Sequence, residues 1–158
     1  MPEANVPELW DQALWHIPNT EVMNLSPLLE MILRFLLAAA LGAAIGYQRE
    51  RAGKAAGLRT HILVSSGAAL FTLASIYGFG DGVDISRVAA GVVVGIGFIG
   101  AGVILRGQRE KEVAGLTTAA TIWVTAAVGL GVGAGMYLLS IIAAAVTVGV
   151  LFLPRVRG

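Results

Sequence analysis

Apolar residues fall into five long stretches along the chain, and almost all of the charged residues lie between these stretches. A helix needs about 20 largely apolar residues to cross a hydrocarbon core roughly 30 Å thick. The period-two alternation and the lumen-facing polar residues of a transmembrane barrel are absent from the sequence. The pattern therefore predicts an all-α membrane protein with five transmembrane helices, which we place at Leu28–Gly46, His61–Phe79, Val88–Leu105, Leu116–Ala134 and Tyr137–Leu153.

The composition of the 158-residue chain agrees with a polytopic membrane protein. Hydrophobic residues make up 56% of it and charged residues 13%, about half of the roughly 25% that is typical of soluble domains. A formal net charge of +1 argues against a nucleic-acid partner, which needs clustered basic residues. Without cysteine there is no thiolate metal site, and no catalytic Ser–His–acid set or pair of hydrolytic carboxylates is apparent. We therefore expect no enzyme and no cofactor.

Lysine and arginine residues are concentrated in two of the loops and at the C-terminus, which together hold nine of the eleven. The positive-inside rule then predicts that the N-terminus lies outside and the C-terminus in the cytoplasm. The chain divides into an extracytoplasmic acidic tail over residues 1–27, a transmembrane domain over 28–153 and a short basic cytoplasmic tail over 154–158. Trp10 and Trp15 favour a short interfacial helix in the first tail, and a loosely ordered tail is the other interpretation.

The loop after the first predicted span is similar to the loop after the third. Residues 48–50, Gln-Arg-Glu, recur as residues 108–110, and residues 56–58, Ala-Gly-Leu, recur as residues 114–116. Each loop joins two predicted spans into a hairpin that runs toward the cytoplasm and back. A duplication of this hairpin gives two parallel repeats related by an axis along the membrane normal, and the fifth helix is an addition to them. The matches are short, so chance resemblance is the competing explanation, and we favour duplication.

Glycine residues predict where the helices pack, because helices in lipid associate through small residues that let their backbones approach. Three glycines of the third span share one face and two lie on nearly the opposite face. We therefore expect the third span to sit at the centre of the bundle. The glycines predicted to pack helices are Gly42, Gly91, Gly95, Gly97, Gly100 and Gly102.

Arg34 lies inside the first predicted span, where a charged residue costs roughly 2.5–3.5 kcal/mol at the bilayer centre and less near a helix end. Glu30 stands one turn earlier, at the spacing of an i,i+4 ion pair. We favour an Arg34 side chain that points into the bundle, where Glu30 or Asp84 would be its partner. The alternative is a side chain that snorkels to the interface.

Two aspartates, Asp81 and Asp84, precede the third span. Asp84 is suited to capping the N-terminus of that helix, where a carboxylate is favourable. Together with Glu30, the two aspartates are also weak candidates for holding a hydrated Mg²⁺ ion, which binds one or two carboxylates and keeps several waters. We favour capping.

Charged and hydroxyl side chains of the two similar loops are expected to meet near the axis of the repeat. We predict that they form a surface that recognises a partner or an ion on the cytoplasmic side. Its residues are Arg49, Glu50, Arg59 and Thr117. His61 is interpreted as a polar anchor at the interface. We expect the threonines at 117, 121 and 125 to form hydrogen bonds between helices.

Four strings together resemble the MgtC/SapB family, and the similarity extends roughly from Leu28 to Leu153. Arg34, Arg49, Glu50 and residues 84–87 also match family positions individually. The strings are Gly57-Leu58-Arg59-Thr60-His61, Gly67-Ala68-Ala69-Leu70-Phe71-Thr72, Gly95-Ile96-Gly97-Phe98-Ile99-Gly100-Ala101-Gly102 and Gly115-Leu116-Thr117-Thr118-Ala119-Ala120-Thr121-Ile122-Trp123.

This resemblance implies a multi-pass bacterial inner-membrane protein linked to adaptation to low Mg²⁺ and, in pathogens, to virulence. Longer members are associated with restraint of the F-type ATP synthase, and we expect a short form without their soluble C-terminal domain. Two departures reduce polarity and put an ion path in doubt: Tyr47-Gln48 stands where relatives usually have Leu-Glu, and Gly91 and Val94 stand where they often have Gln and Ser.

We therefore expect a regulatory protein that acts through helix contacts with a membrane partner, either ATP synthase or a transporter. A homo-oligomer is a second arrangement, and a minimal channel or carrier for Mg²⁺ or another cation is the alternative function. The residues singled out for function are Arg34, Arg49, Glu50, Arg59, His61, Asp84, Arg87, Thr117 and Thr118.

Overall fold

The computed structural model of the chain describes residues 27–79, 84–106 and 115–154. Within these ranges the chain forms five helices and no strand, which confirms the predicted all-α fold. The acidic N-terminal tail with its tryptophans, Asp81, the loop at 107–114 and the basic tail at 155–158 lie outside the described residues. The helices are α1 (Pro27–Arg51), α2 (Leu58–Tyr77), α3 (Ser86–Arg106), α4 (Leu116–Gly133) and α5 (Tyr137–Leu151).

Four of the helices, α1 to α4, are long and apolar enough to cross a membrane, so the chain is a multi-pass membrane protein. Helix α5 has 15 residues and is therefore about 22 Å long at 1.5 Å per residue, shorter than the hydrocarbon core of roughly 30 Å.

Helix α1 continues five residues past its predicted end at Gly46, and its last turn contains Arg49 and Arg51. Cations are favourable at a helix C-terminus, so these arginines suit the extended turn. The orientation in the membrane stays a prediction.

Helices α2 and α4 form the centre of the bundle. Over an 18-residue window, 44% of the residues of α2 and 50% of those of α4 are buried, against 6% in α3. Ile122 and Val132 of α4 are completely buried, and they pack in two separate clusters with Ala68 and Ala69 of α2. The predicted position of the third span at the centre is therefore wrong.

Two pairs of glycines, each at i,i+4 spacing, bring α1 and α4 against α2. A Cβ atom on Gly42 would lie 2.6 Å from the carbonyl oxygen of His61, and one on Gly46 would lie 2.8 Å from a backbone atom of α2. A Cβ on Gly133 would lie 2.8 Å from the Cβ of Thr72, and one on Gly129 would overlap the α2 backbone. Gly42 is one of the glycines that the sequence analysis singled out for packing, while the other three were missed.

Contrary to the prediction, the glycines of α3 do not pack this helix against another helix of the described residues. A Cβ atom on Gly91, Gly95, Gly97 or Gly102 would meet nothing within 4 Å. Only Gly100 is near a neighbour, since its Cβ would lie 3.6 Å from that of Ala119. The reason is that the larger side chains of α3 make its contacts with the core: Ile96 is buried there, and Val92 and Val103 pack around the same cluster.

Candidate functional site

Arg34 points into one end of the bundle, as favoured from the sequence. Its side chain is 13% exposed. Nη1 donates a 2.8 Å hydrogen bond to the carbonyl oxygen of Gly133, and Nη2 pairs with the Glu30 carboxylate. The guanidinium also lies over the ring of Tyr137, 5.6 Å from its centroid. Arg34 therefore joins α1 to the end of α4 and the start of α5.

Gly133 explains why a cation is stable at this position. It is the last residue of α4, so its carbonyl belongs to the helix end that has no intrahelical partners and carries partial negative charge. Gly135, with φ of +86°, turns the chain into α5 beside the guanidinium. The sequence signal for this partner was the glycine-rich end of the fourth span, which is typical of a helix C-terminus.

Asp84 caps α3, as predicted, and does not pair with Arg34. Its Oδ1 accepts hydrogen bonds from the backbone N–H of Ser86 at 2.9 Å and from the Ser86 hydroxyl at 2.6 Å. These bonds stabilise the carboxylate and hold the pKa of Asp84 below its ordinary value. Arg87 is exposed on the first turn of the same helix.

A metal centre built from Glu30, Asp81 and Asp84 finds no support in the described residues. They contain no group of three His, Cys, Asp or Glu side chains that could hold an ion, and Asp81 lies outside them. The Glu30 carboxylate already pairs with Arg34, and the Asp84 carboxylate accepts both bonds from Ser86.

Arg49 is the most buried charged residue that the structure describes, with 3% of its surface exposed. Its Nη2 donates a 2.6 Å hydrogen bond to the hydroxyl of Thr118, which joins α1 to α4. Its Nε is buried and has no hydrogen-bond partner in residues 27–79, 84–106 and 115–154. Within the same ranges, the one ion pair is that of Arg34 with Glu30, so Arg49 has no carboxylate partner there.

Glu50 holds the start of α2 and lies exposed beside the loop. Its Oε2 accepts a 2.7 Å hydrogen bond from the backbone N–H of Leu58, the first residue of that helix. Gly57 allows this approach, because a Cβ there would lie 2.8 Å from the same carboxylate oxygen. Arg59 is exposed and has no side-chain bond to any other described residue.

His61 is completely buried, so its interpretation as an interfacial anchor is wrong. The cause is that α2 begins three residues before His61, at Leu58, which moves the imidazole inside the bundle. Its Nδ1 is 2.8 Å from the carbonyl oxygen of Gly57, and its Nε2 has no partner in the described part of the chain. One turn further on, the Ser65 hydroxyl is buried and equally unpartnered there.

A cavity of about 930 Å³ lies at the Arg49 end of the bundle; we call it the Arg49 cavity. The expected meeting of the two loops is thus partly realised: Arg49, Thr117 and Thr118 line it, while Glu50 and Arg59 do not. The hydroxyls of Thr121 and Thr125 bond to carbonyls of their own helix, so the predicted bonds between helices are wrong. The complete lining is Arg49, Gly53, Lys54, Ala55, Ile99, Gly102, Val103, Gly115, Thr117, Thr118, Val150, Leu151, Leu153 and Pro154.

A second cavity, of about 640 Å³, lies between α2 and α3. Gly67 of α2 and Gly91 and Gly95 of α3 line it, and a Cβ on any of the three would meet nothing within 4 Å. We call this surface the glycine groove. Leu63 and Phe71 also line it and are 71% and 60% exposed, so bulky side chains flank the bare backbone.

The profile of the MgtC family matches residues 35–157, which include both cavities. The chain belongs to the MgtC family. It is 53% identical over 129 residues to "Putative magnesium transporter YhiD" of Escherichia coli, a match that covers 77% of this chain and 59% of YhiD. No solved structure matches the chain.

Two further relatives are each 47% identical to the chain over their matched residues. Protein SrpB of Synechococcus elongatus is 47% identical over 120 residues, which are 69% of this chain and 66% of SrpB. Protein MgtC of Salmonella typhimurium is 47% identical over 106 residues, which are 67% of this chain and 44% of MgtC. The match thus spans from under half to about two thirds of these relatives' lengths. None of the three names denotes an enzyme.

Proposed function

We propose that the chain is a regulatory membrane protein of adaptation to low Mg²⁺, which acts by helix contact with a membrane partner. The bare glycine groove is the observation that carries this proposal. Family membership supports the link to Mg²⁺. The same proposal places the chain in the bacterial inner membrane with its N-terminus outside. It also takes the partner to be ATP synthase or a transporter.

Glycine is an unfavourable choice on a lipid-facing helix surface. It costs about 1 kcal/mol relative to alanine in a helix interior, and lipid returns no packing energy for the missing side chain. Between helices in lipid, by contrast, glycine allows close backbone approach. A Cβ on Gly67, Gly91 or Gly95 would meet no atom of the described residues within 4 Å. A transmembrane helix of a partner, seated between Leu63 and Phe71, supplies the missing contacts.

The interior of the bundle is a poor path for a cation. The carboxylates in the described ranges, Glu30, Glu50 and Asp84, stand in the first or last turn of a helix or just before one. Cation pathways usually present carboxylates or free carbonyls at depth. Ile45 of α1 and Val128 of α4 are almost completely buried and belong to one apolar cluster, whose side chains offer no oxygen to a cation.

Transport of Mg²⁺ or another cation is the second candidate function. The name of the Escherichia coli relative favours it. So do the buried Nε2 of His61 and hydroxyl of Ser65, two polar atoms one turn apart on α2 that have no partner in the described residues. The two candidates differ in whether an ion crosses the bundle.

Substitutions that fill the glycine groove test the proposed contact with a partner helix. Gly95→Leu fills it, and Gly149→Leu is the matched control, because Gly149 is also a helical glycine with nothing within 4 Å but lies on α5. Both variants are compared with the wild type for growth at low Mg²⁺ in a strain that lacks the protein. Membrane level and thermal unfolding in detergent are measured in parallel.

We expect Gly95→Leu to abolish growth support at normal protein level and unfolding temperature, while Gly149→Leu retains it. Equal growth in both variants would contradict the proposal, as would loss of growth only in step with loss of folded protein. Co-purification of two differently tagged copies that Gly95→Leu abolishes would make a second copy of the chain the occupant. That result would contradict a separate partner protein.

A further inference from the structure

The Arg49 cavity contains a buried positive charge that the described residues do not neutralise. Arg49 is 3% exposed, and its hydrogen bond goes to the uncharged hydroxyl of Thr118. An isolated buried charge is expensive, so buried charges are normally paired. No carboxylate among residues 27–79, 84–106 and 115–154 pairs with Arg49. The site therefore favours an anion from outside the bundle.

The N-terminus of α4 adds donors at the same place. Gly115, with φ of +94°, stands just before this helix and provides no side-chain cap. Gly115, Thr117 and Thr118 all line the cavity. The first amide groups of a helix are free donors and attract anions. The Thr118 hydroxyl accepts its bond from Arg49, and as a hydroxyl it also carries a hydrogen that it can donate. Lys54 is exposed and supplies a second positive charge on the lining.

We propose that the Arg49 cavity binds a phosphate group, carried by an anionic phospholipid or present as free inorganic phosphate. A guanidinium matches the oxygens of a phosphate in shape and charge. Basic pockets between transmembrane helices on the cytoplasmic side are known to bind lipid headgroups, and positive-inside predicts that side for this end. Apolar residues such as Ile99, Val103 and Val150 line the rest of the cavity and suit an acyl chain.

The phosphate-binding part of this site lies outside the glycine groove, with which the cavity shares Ile99 alone of its lining, and it does not rest on the proposed partner contact. The phosphate site uses Arg49 of α1 and the start of α4, while the groove uses Gly67, Gly91 and Gly95. If the chain does not bind phosphate, the expected loss of growth support in Gly95→Leu still holds. If Gly95→Leu supports growth normally, the expected binding of phosphate still holds.

Binding to the purified full chain in detergent tests the proposal. Thermal unfolding and native mass spectrometry are followed during titration with phosphatidylglycerol, with phosphatidylcholine of the same acyl chains, and with inorganic phosphate at constant ionic strength. Saturable binding of phosphatidylglycerol but not phosphatidylcholine identifies a lipid ligand. Saturable binding of inorganic phosphate identifies free phosphate as the ligand. Either result supports the site, and binding of neither would overturn it.

Variants locate the bound group. Arg49→Gln removes a charge-assisted bond and should weaken binding about tenfold or more. Arg51→Gln is the matched control, because Arg51 lies on the same helix, is exposed and does not line the cavity. Thr118→Val leaves every charge in place and should also weaken binding, which keeps the test decisive if Arg49→Gln fails to fold. Equal weakening in Arg51→Gln would mean general surface attraction and would overturn the proposal.

A carboxylate of the chain itself is the remaining competitor. Glu110 and Glu112 belong to the loop between α3 and α4, outside the described residues. We expect Glu110→Gln and Glu112→Gln to bind the phosphate ligand with the affinity of the wild type. Binding that appears only in one of these two variants would mean that the chain supplies its own counter-ion, and the phosphate site would be refuted.

Discussion

Gly129 of α4 faces the backbone carbonyl of Ser65 on α2 so closely that no side chain fits between the two helices. This contact sits at the centre of the bundle, where half of an 18-residue window of α4 is buried. The close approach exists because a glycine, with no Cβ, lies at the point where the helices meet. The same arrangement recurs where Gly42 of α1 meets His61.

Gly129→Ala should destabilise the bundle, because its Cβ would overlap the Ser65 carbonyl group. We expect a loss of about 1–3 kcal/mol, the usual scale of overpacking. Gly91→Ala is the control and should be neutral or stabilising by up to about 1 kcal/mol, since the site is empty and alanine favours helix. Reversible unfolding in mixed detergent micelles measures both. A Gly129→Ala variant as stable as Gly91→Ala would contradict the packing described.

Arg34→Ala should separate the ends of α1, α4 and α5. It removes the hydrogen bond to the Gly133 carbonyl and leaves Glu30 without its partner. Glu30 is 42% exposed, so we expect about 1–3 kcal/mol rather than the larger cost of a fully buried pair. Arg87→Ala, at an exposed arginine, should change the unfolding free energy by less than about 0.5 kcal/mol. Equal effects of the two changes would refute a bundle-facing Arg34.

Glu50→Ala should release the start of α2, whose first amide it holds. We expect a loss of about 0.5–2 kcal/mol, which is the range of helix caps. Faster hydrogen exchange at the Leu58 amide is the local readout. Glu50→Gln keeps an acceptor oxygen at the same reach and should stay close to the wild type. A Gln variant that exchanges as fast as the Ala variant would show that the charge and not the hydrogen bond holds the helix.

Asp84 should make the start of α3 sensitive to acid. Its pKa is lower in the folded chain than in the unfolded chain, because Ser86 donates two hydrogen bonds to the carboxylate. Its contribution to stability is therefore full above the unfolded pKa and is lost as the pH falls through the folded value, below about 4. Asp84→Asn still accepts hydrogen bonds but does not titrate. The unfolding temperature of the variant should fall less steeply below pH 4 than that of the wild type, and identical slopes would contradict the cap.

The five helices were predictable because hydropathy reports which residues meet hydrocarbon. Hydropathy does not report where a helix ends, so Arg49 was assigned to a loop although α1 continues to Arg51 and buries it. His61 was misinterpreted for the same reason, since α2 begins at Leu58, before the apolar stretch.

The packing of the bundle was predicted less well, because glycines were counted rather than matched to partners. Helix α3 has many glycines but contacts the core through Ile96. The i,i+4 glycines Gly42–Gly46 and Gly129–Gly133 are visible in the sequence and are the ones that meet α2. The glycine-rich end of the fourth span indicates a helix C-terminus, but it does not indicate which cation binds there: the contact of Arg34 with the Gly133 carbonyl spans 99 positions and depends on how α1 crosses α4.

Mg²⁺ entry into liposomes that contain the purified chain distinguishes contact with a partner from ion transport most directly. A Mg²⁺-sensitive dye inside the vesicles records entry down an imposed gradient, and the thermal transition of the same preparation establishes that the protein is folded. The apolar packing around Ile45 and Val128 leads us to expect Mg²⁺ entry at the rate of protein-free liposomes. Entry that exceeds this rate and saturates with Mg²⁺ concentration would contradict the regulatory function and make the chain a transporter.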